Sequence, residues 1–175
     1  MGRFAALAVG LLLVGPAMAE SVPEKLGLNS LIGSSPSAQD FVTEAALSDM
    51  FEIQSSLIAK SRGDIATRPF AGQMIADHEK IRSELKAMAD GGKLKISFPP
   101  QLDSKRQSKL DVLNKKQGGD FDKQYRSEQA AGHKDAVDLY RRYAKGGDNA
   151  DLKSFAEKAL PILEHHLQMA EELAK

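Results

Sequence analysis

Residues 67–90 read TRPFAGQMIADHEKIRSELKAMAD, and this stretch decides the fold. Phe70, Met74, His78, Ile81, Leu85 and Met88 recur at steps of four, four, three, four and three. That is the spacing that lines one face of a helix. Pro69 falls in the first turn, where its missing N–H has no intrahelical partner to lose. Gly91 and Gly92 stop the run. The stretch therefore predicts a helix with one buried face, and a histidine sits in the middle of that face.

Three further stretches show the same period. A first helix is expected from Ser37, where Ser37-Ala38-Gln39-Asp40 resembles a capping box with Asp in place of Glu. Its buried face is read as Val42, Ala46, Ile53 and Leu57, and Ser61-Arg62-Gly63-Asp64 ends it. A third helix is expected from about Asp120, carrying Phe121, Tyr125, His133, Ala136, Tyr140 and Tyr143, and Gly146-Gly147 closes it. Asp148 is expected to cap a fourth, with a stripe of Leu152, Phe155, Ala159, Ile162, His166, Met169 and Leu173 and a kink at Pro161.

Connection lengths set the topology. The first two helices, and the last two, are joined by a few residues each and should be antiparallel pairs. Between the second and third lies a connection from Lys93 to Gly119, with Pro99-Pro100 and a short helix-like stretch around Leu110 and Leu113. The second helix is about 35 Å long at ~1.5 Å per residue. Such a link can cross that distance even when partly coiled, at up to ~3.3 Å per residue. The expectation is an all-α, ferritin-like four-helix bundle with one long crossover between the second and third helices.

Composition narrows the function. The 24 basic and 24 acidic residues cancel, so there is no electrostatic footprint for nucleic acid. Trp is absent, and with it the best stacking platform for single strands. No cysteine is present, which excludes disulfides, thiolate metal sites, a Cys nucleophile and a lipidated N-terminal Cys. Arg3, the apolar run Phe4 to Gly15, Pro16 and Ala17-Met18-Ala19 read as a signal peptide over residues 1–19, cleaved before Glu20. The organisation expected is that signal, a loosely ordered leader over 20–36, and a bundle domain over 37–175, exported to the periplasm with no later membrane span. The basic residues of the crossover, Lys105, Arg106, Lys109, Lys115 and Lys116, read as a solvated face.

Met50-Phe51-Glu52, Met74-Ile75-Ala76-Asp77-His78, Phe121-Asp122 with Tyr125 and His133, and the run Leu160-Pro161-Ile162-Leu163-Glu164-His165-His166-Leu167 form an ordered set. By these residues the chain resembles the bacterial exported ferritin-like family catalogued as domain of unknown function number four-one-four-two. The resemblance spans about residues 38 to 174. It implies a ferritin-like bundle outside the cytoplasm, and brings no established activity or cofactor.

Chemistry can reside in few places. His78 and His166 replace apolar residues on their stripes, and His133 shares the face of Ala136 and Tyr140. Glu52 is the acid of the first helix nearest a buried edge. Glu52, His78, His133 and His166 are thus candidate metal ligands, one per helix, for a divalent ion. The Glu-x-x-His pairs of di-iron bundles are missing, since Ile75 and Leu163 stand three residues before His78 and His166. The competing reading needs no cofactor: interior histidines hydrogen-bonded to each other, to Glu52 or to tyrosines, fixing helix register. Asp77 and His165 are expected on the flanks. The first functional reading is accordingly a non-enzymatic exported helical-bundle protein, envelope or stress related, with its protein partner unidentified. The second is a metal- or small-ligand-binding bundle with a Glu/His site in its core.

Overall fold

The computed structural model describes residues 33–91 and 96–175. The expected signal peptide, and the leader up to residue 32, lie outside the described residues. Among the described residues five helices follow in order: α1 Ala38–Arg62, α2 Thr67–Asp90, α3 Ser104–Lys115, α4 Gly118–Gly146 and α5 Ala150–Leu173. Among the described residues there is no strand.

Local chemistry fixes the helix ends. Ser37 caps α1: its hydroxyl oxygen accepts from the Asp40 N–H at 3.2 Å while its O–H donates to the Asp40 carboxylate at 2.8 Å. Asp103 caps α3 by accepting from the Arg106 N–H at 2.7 Å. The cap of α5 is Asn149, which accepts from Leu152 N–H at 3.0 Å, and not Asp148 as expected. Asp148 instead accepts the Tyr143 hydroxyl at 2.9 Å, a bond available because α4 ends directly above it. Pro161 lies inside an unbroken α5, on its exposed side. The carbonyl of Glu157, which loses its intrahelical donor there, also belongs to an exposed residue, so water can serve it.

Contacts between helices give their directions. Ser56, late in α1, shares a 2.8 Å hydrogen bond with Tyr125, early in α4, while Phe41 at the start of α1 stacks on Tyr143 near the end of α4 at 4.1 Å. α1 and α4 are therefore antiparallel. Phe70 and Tyr125, each early in its helix, meet edge to face at 6.2 Å, so α2 and α4 run the same way. Phe155 at the start of α5 lies beside Phe41, which makes α1 and α5 parallel. This is the up-down-down-up arrangement that the long connection requires, with the crossover returning the chain along the outside of α1. There α3 buries Leu110 with Leu47, Met50 and Phe51, and the pairs Arg106–Glu44 at 2.7 Å and Lys109–Glu128 at 2.6 Å hold it. The crossover's basic stretch is thus partly spent on ion pairs rather than left to solvent.

Besides the cluster under α3, the described core has two apolar layers within the bundle. One gathers Phe41, Ile81, Leu85, Tyr140, Tyr143, Phe155 and Leu163, and the other Phe70, Met74, Phe121, Tyr125 and Ala170. Between them runs a buried polar belt of Asp49, Glu52, Ser55, His78, Gln129, His133 and His166. Two stripes differ from their sequence reading. On α1, Leu57 is 52% exposed and Ile53 only half-buried, while the buried seam is Val42, Ala45, Asp49, Glu52, Ser56 and Ala59. On α5, Leu163 at 1% takes the place expected of Ile162 at 36%. Neighbouring residues lie only about 100° apart on a helix, so a one-residue error in seam assignment turns a side chain from core to rim. Among the described residues no helix is long and apolar enough to cross a membrane.

Candidate metal centre

His78 stands at the middle of α2, His133 at the middle of α4 and His166 in the second half of α5, all at 1% exposure or less. The bundle brings the three imidazoles together. Their ring centroids form a near-equilateral triangle with sides of 5.4, 5.3 and 5.4 Å. One ring nitrogen from each lies within 4.8 Å of the other two. His78 belongs to the α1–α2 hairpin, and the other two belong to the α4–α5 hairpin.

The outward nitrogens are all engaged by acceptors. His78 Nδ1 meets Asp49 Oδ1 at 2.8 Å, His166 Nε2 meets Asp77 Oδ2 at 2.9 Å, and His133 Nδ1 meets the Gln129 carbonyl at 2.9 Å. A carboxylate or carbonyl accepts, so each of these nitrogens carries the proton. The nitrogens left to the interior are His78 Nε2, His133 Nε2 and His166 Nδ1, each offering a lone pair when its ring is neutral. The first two are 3.3 Å apart, and His166 Nδ1 is buried without a hydrogen-bond partner. Orienting a ligating imidazole by a carboxylate or carbonyl on its far nitrogen is the usual second layer of a metal site.

Burial and the surrounding charges set the protonation of the three rings differently. Burial pulls His133 down to about 3, helped by the His78 charge, so it is neutral at pH 7. Burial likewise takes His166 down to about 4, against the opposing pull of Asp77. Burial also works against charging His78, but the hydrogen bond and charge of Asp49, with Glu52 and Asp77 beyond, outweigh it and raise its pKa. Asp49 is itself raised because burial exceeds the help from His78. For Asp77, partial burial is offset by hydrogen bonds from Gln73 and His166, and its pKa is lowered.

Glu52 is 1% exposed, but its carboxylate does not join the group of three nitrogens. It lies one turn along α1 from Asp49, packed against α4 so closely that a Cβ on Gly132 would come within 2.9 Å of its Oε1. Its Oε2 has no hydrogen-bond partner. Burial lifts its pKa to about 7, against the charge of His78 and a hydrogen bond from Gln129.

Sequence reasoning missed Asp49, Gln129 and the role of Asp77. Asp49 had a signal: positions 42, 45, 49, 52, 56 and 59 step by three and four throughout, a seam hidden because half its members are polar. Asp77 is off the seam and reaches the site only because α2 and α5 pack side by side, which no spacing within α2 could disclose. His165 is exposed, as expected for a flank residue.

The family model described as Domain of unknown function (DUF4142) matches residues 29–173. No curated protein and no solved structure matched the chain.

Proposed function

The chain belongs to the DUF4142 family, and we propose that its bundle interior binds a single divalent transition-metal ion on His78 Nε2, His133 Nε2 and His166 Nδ1. One observation carries this reading. Three buried imidazole nitrogens lie within 4.8 Å of one another, each imidazole being held from behind by an acceptor, so that in the neutral rings three lone pairs are crowded together. Lone pairs so placed repel unless something electropositive lies between them. In a tetrahedral site with metal–nitrogen bonds of ~2.0–2.1 Å, ligand nitrogens stand about 3.3 Å apart. The His78–His133 separation is 3.3 Å. Three imidazoles with no thiolate suit zinc, copper, iron or nickel rather than magnesium or calcium. Asp49 and Asp77 supply the negative charge that offsets the ion.

A single proton offers the second reading. With His78 cationic, its Nε2–H donates to His133 Nε2 at 3.3 Å, and the cluster becomes a register-fixing network. That proton serves one pair and leaves His166 Nδ1 unsatisfied in the interior. An ion serves all three, which is why the metal reading is preferred.

The test is metal analysis of the purified chain, followed by titration of the metal-free protein with zinc or cobalt. One equivalent per chain, lost in both His78→Ala and His166→Ala, is expected. No binding, with both variants merely less stable, returns the cluster to the proton-bridged network. The chain is further proposed to act outside the cytoplasm, supported by the signal-like residues 1–19. N-terminal sequencing of the mature protein should then begin at Glu20, and a chain starting at Met1 would refute cleavage there, with recovery from the cytoplasmic fraction refuting export.

A further inference from the structure

The three ligands come from α2, α4 and α5, and α1 is the one of the four bundle helices that contributes no imidazole. In the same buried belt, on α1 and α4, are two oxygens without hydrogen-bond partners, Glu52 Oε2 and Gln129 Oε1. Both residues are essentially sealed from solvent. Glu52 is three residues past Asp49 on α1, and Gln129 is one turn before His133 on α4. Because α1 and α4 are antiparallel, both displacements point the same way along the bundle, towards the α1–α2 turn. Above them the belt closes: the Gln129 amide donates to Ser55 Oγ at 3.3 Å, and Ser56 pairs with Tyr125. The Gln129 side chain also hydrogen-bonds Glu52, so the two unpaired acceptors belong to adjoining side chains of the belt that holds the imidazoles.

An acceptor buried without a donor costs roughly 1–3 kcal/mol, and two neighbouring ones call for a shared donor. With Glu52 ionised, the state a bound cation favours, neither side chain supplies it, since each orphan oxygen is then an acceptor and the Gln129 amide donates to Ser55 Oγ. The molecule that fits carries two hydrogens and a lone pair on one small atom. We propose that a water molecule occupies the fourth coordination position, its oxygen on the metal and its hydrogens donated to Glu52 Oε2 and Gln129 Oε1. The inference rests on the metal reading and adds to it: the site is one that holds exchangeable solvent and accepts a small anion in its place, rather than a closed four-ligand structural site. Glu52 and Gln129 are then positioning residues for that ligand. Gly132 belongs to the same device, because only a residue without a Cβ leaves Glu52 its place against α4.

The experiment uses cobalt(II) as the spectroscopic probe in the full chain, with azide as the exchanging anion. The parent should bind one cobalt and shift its visible bands when azide is added. Glu52→Leu and Gln129→Leu should each still bind cobalt, with altered bands and azide affinity raised roughly tenfold, because the displaced water is no longer anchored. Glu52→Gln, which keeps an acceptor oxygen, should remain close to the parent. Gly132→Ala, which moves the carboxylate without changing its chemistry, should resemble Glu52→Leu and provides the measurement should either leucine variant misfold. Unaltered bands in the leucine variants and in Gly132→Ala would overturn the water proposal and leave the three-histidine site standing. Folded Glu52→Leu that no longer binds cobalt would overturn it differently, by making Glu52 a direct ligand. A parent that takes up no cobalt defeats both readings together.

Discussion

Asp77 on α2 reaches across the bundle to accept a hydrogen bond from His166 Nε2 on α5 at 2.9 Å, and thereby turns His166 Nδ1 inward. A partly exposed acid thus sets which nitrogen of a fully buried imidazole faces the site. Replacing Asp77 by Ala leaves every ligand in place but removes that orientation. Metal affinity should fall about 10- to 100-fold, the usual cost of losing a second-layer partner. Competition titration against a chromophoric chelator measures it. An unchanged affinity would show that His166 needs no guide.

His78→Ala strands Asp49, a carboxylate at 2% exposure whose Oδ2 already has no partner. Breaking a buried charged pair by removing one member costs about 3–5 kcal/mol. The loss should appear in urea unfolding of the metal-free protein. Adding Asp49→Asn to His78→Ala should recover part of it, because the orphaned charge is gone. Equal losses in the single and double variants would mean that packing, not charge, carries the effect.

Glu52 predicts a pH dependence whose sign is fixed. Its folded pKa of about 7 lies above the ordinary 4.5, so the fold binds its proton more tightly than the unfolded chain does. The resulting stability is fully present below pH 4.5 and is lost as pH rises through 7. The total approaches about 3 kcal/mol, at 1.36 kcal/mol per pKa unit. His133 and His166, with lowered values, oppose this by losing stability as pH falls below 6.5. The clean measurement is therefore the difference between parent and Glu52→Gln across pH 5 to 8. Stability of the parent should decline relative to the variant, and parallel curves would contradict the burial of an ionisable Glu52.

Metal should also stabilise the whole bundle. A ligand that binds only the folded chain adds about 4 kcal/mol at a thousand times its dissociation constant. Zinc should raise the thermal midpoint of the parent and a chelator should reverse it, with neither effect in His133→Ala. A zinc-dependent rise that persists in His133→Ala would place the ion elsewhere.

Much of this fold was legible in the sequence, for reasons that differ by element. The stripe of α2 was read nearly residue for residue, because Phe70, Met74, Ile81 and Leu85 are large and apolar and match its buried face. The crossover followed from the length of one connection. The α1 seam was misread because Asp49, Glu52 and Ser56 sit where apolar residues normally do, and periodicity weighed by hydrophobicity discards them. Of the candidate ligands, the three histidines announced themselves as polar residues in apolar company. Their second layer did not: Asp49 was not singled out, and Asp77 and Gln129 acquire meaning only when separate helices are placed side by side.

The division of the imidazoles between the hairpins has a consequence for assembly. The N-terminal half of the bundle offers one nitrogen to the centre and the C-terminal half offers two. Neither half alone can present all three donors, so capture of the ion must follow the docking of one half on the other. Occupancy would then certify that the chain has come together, and withdrawing the ion would loosen first the seam where the two halves meet.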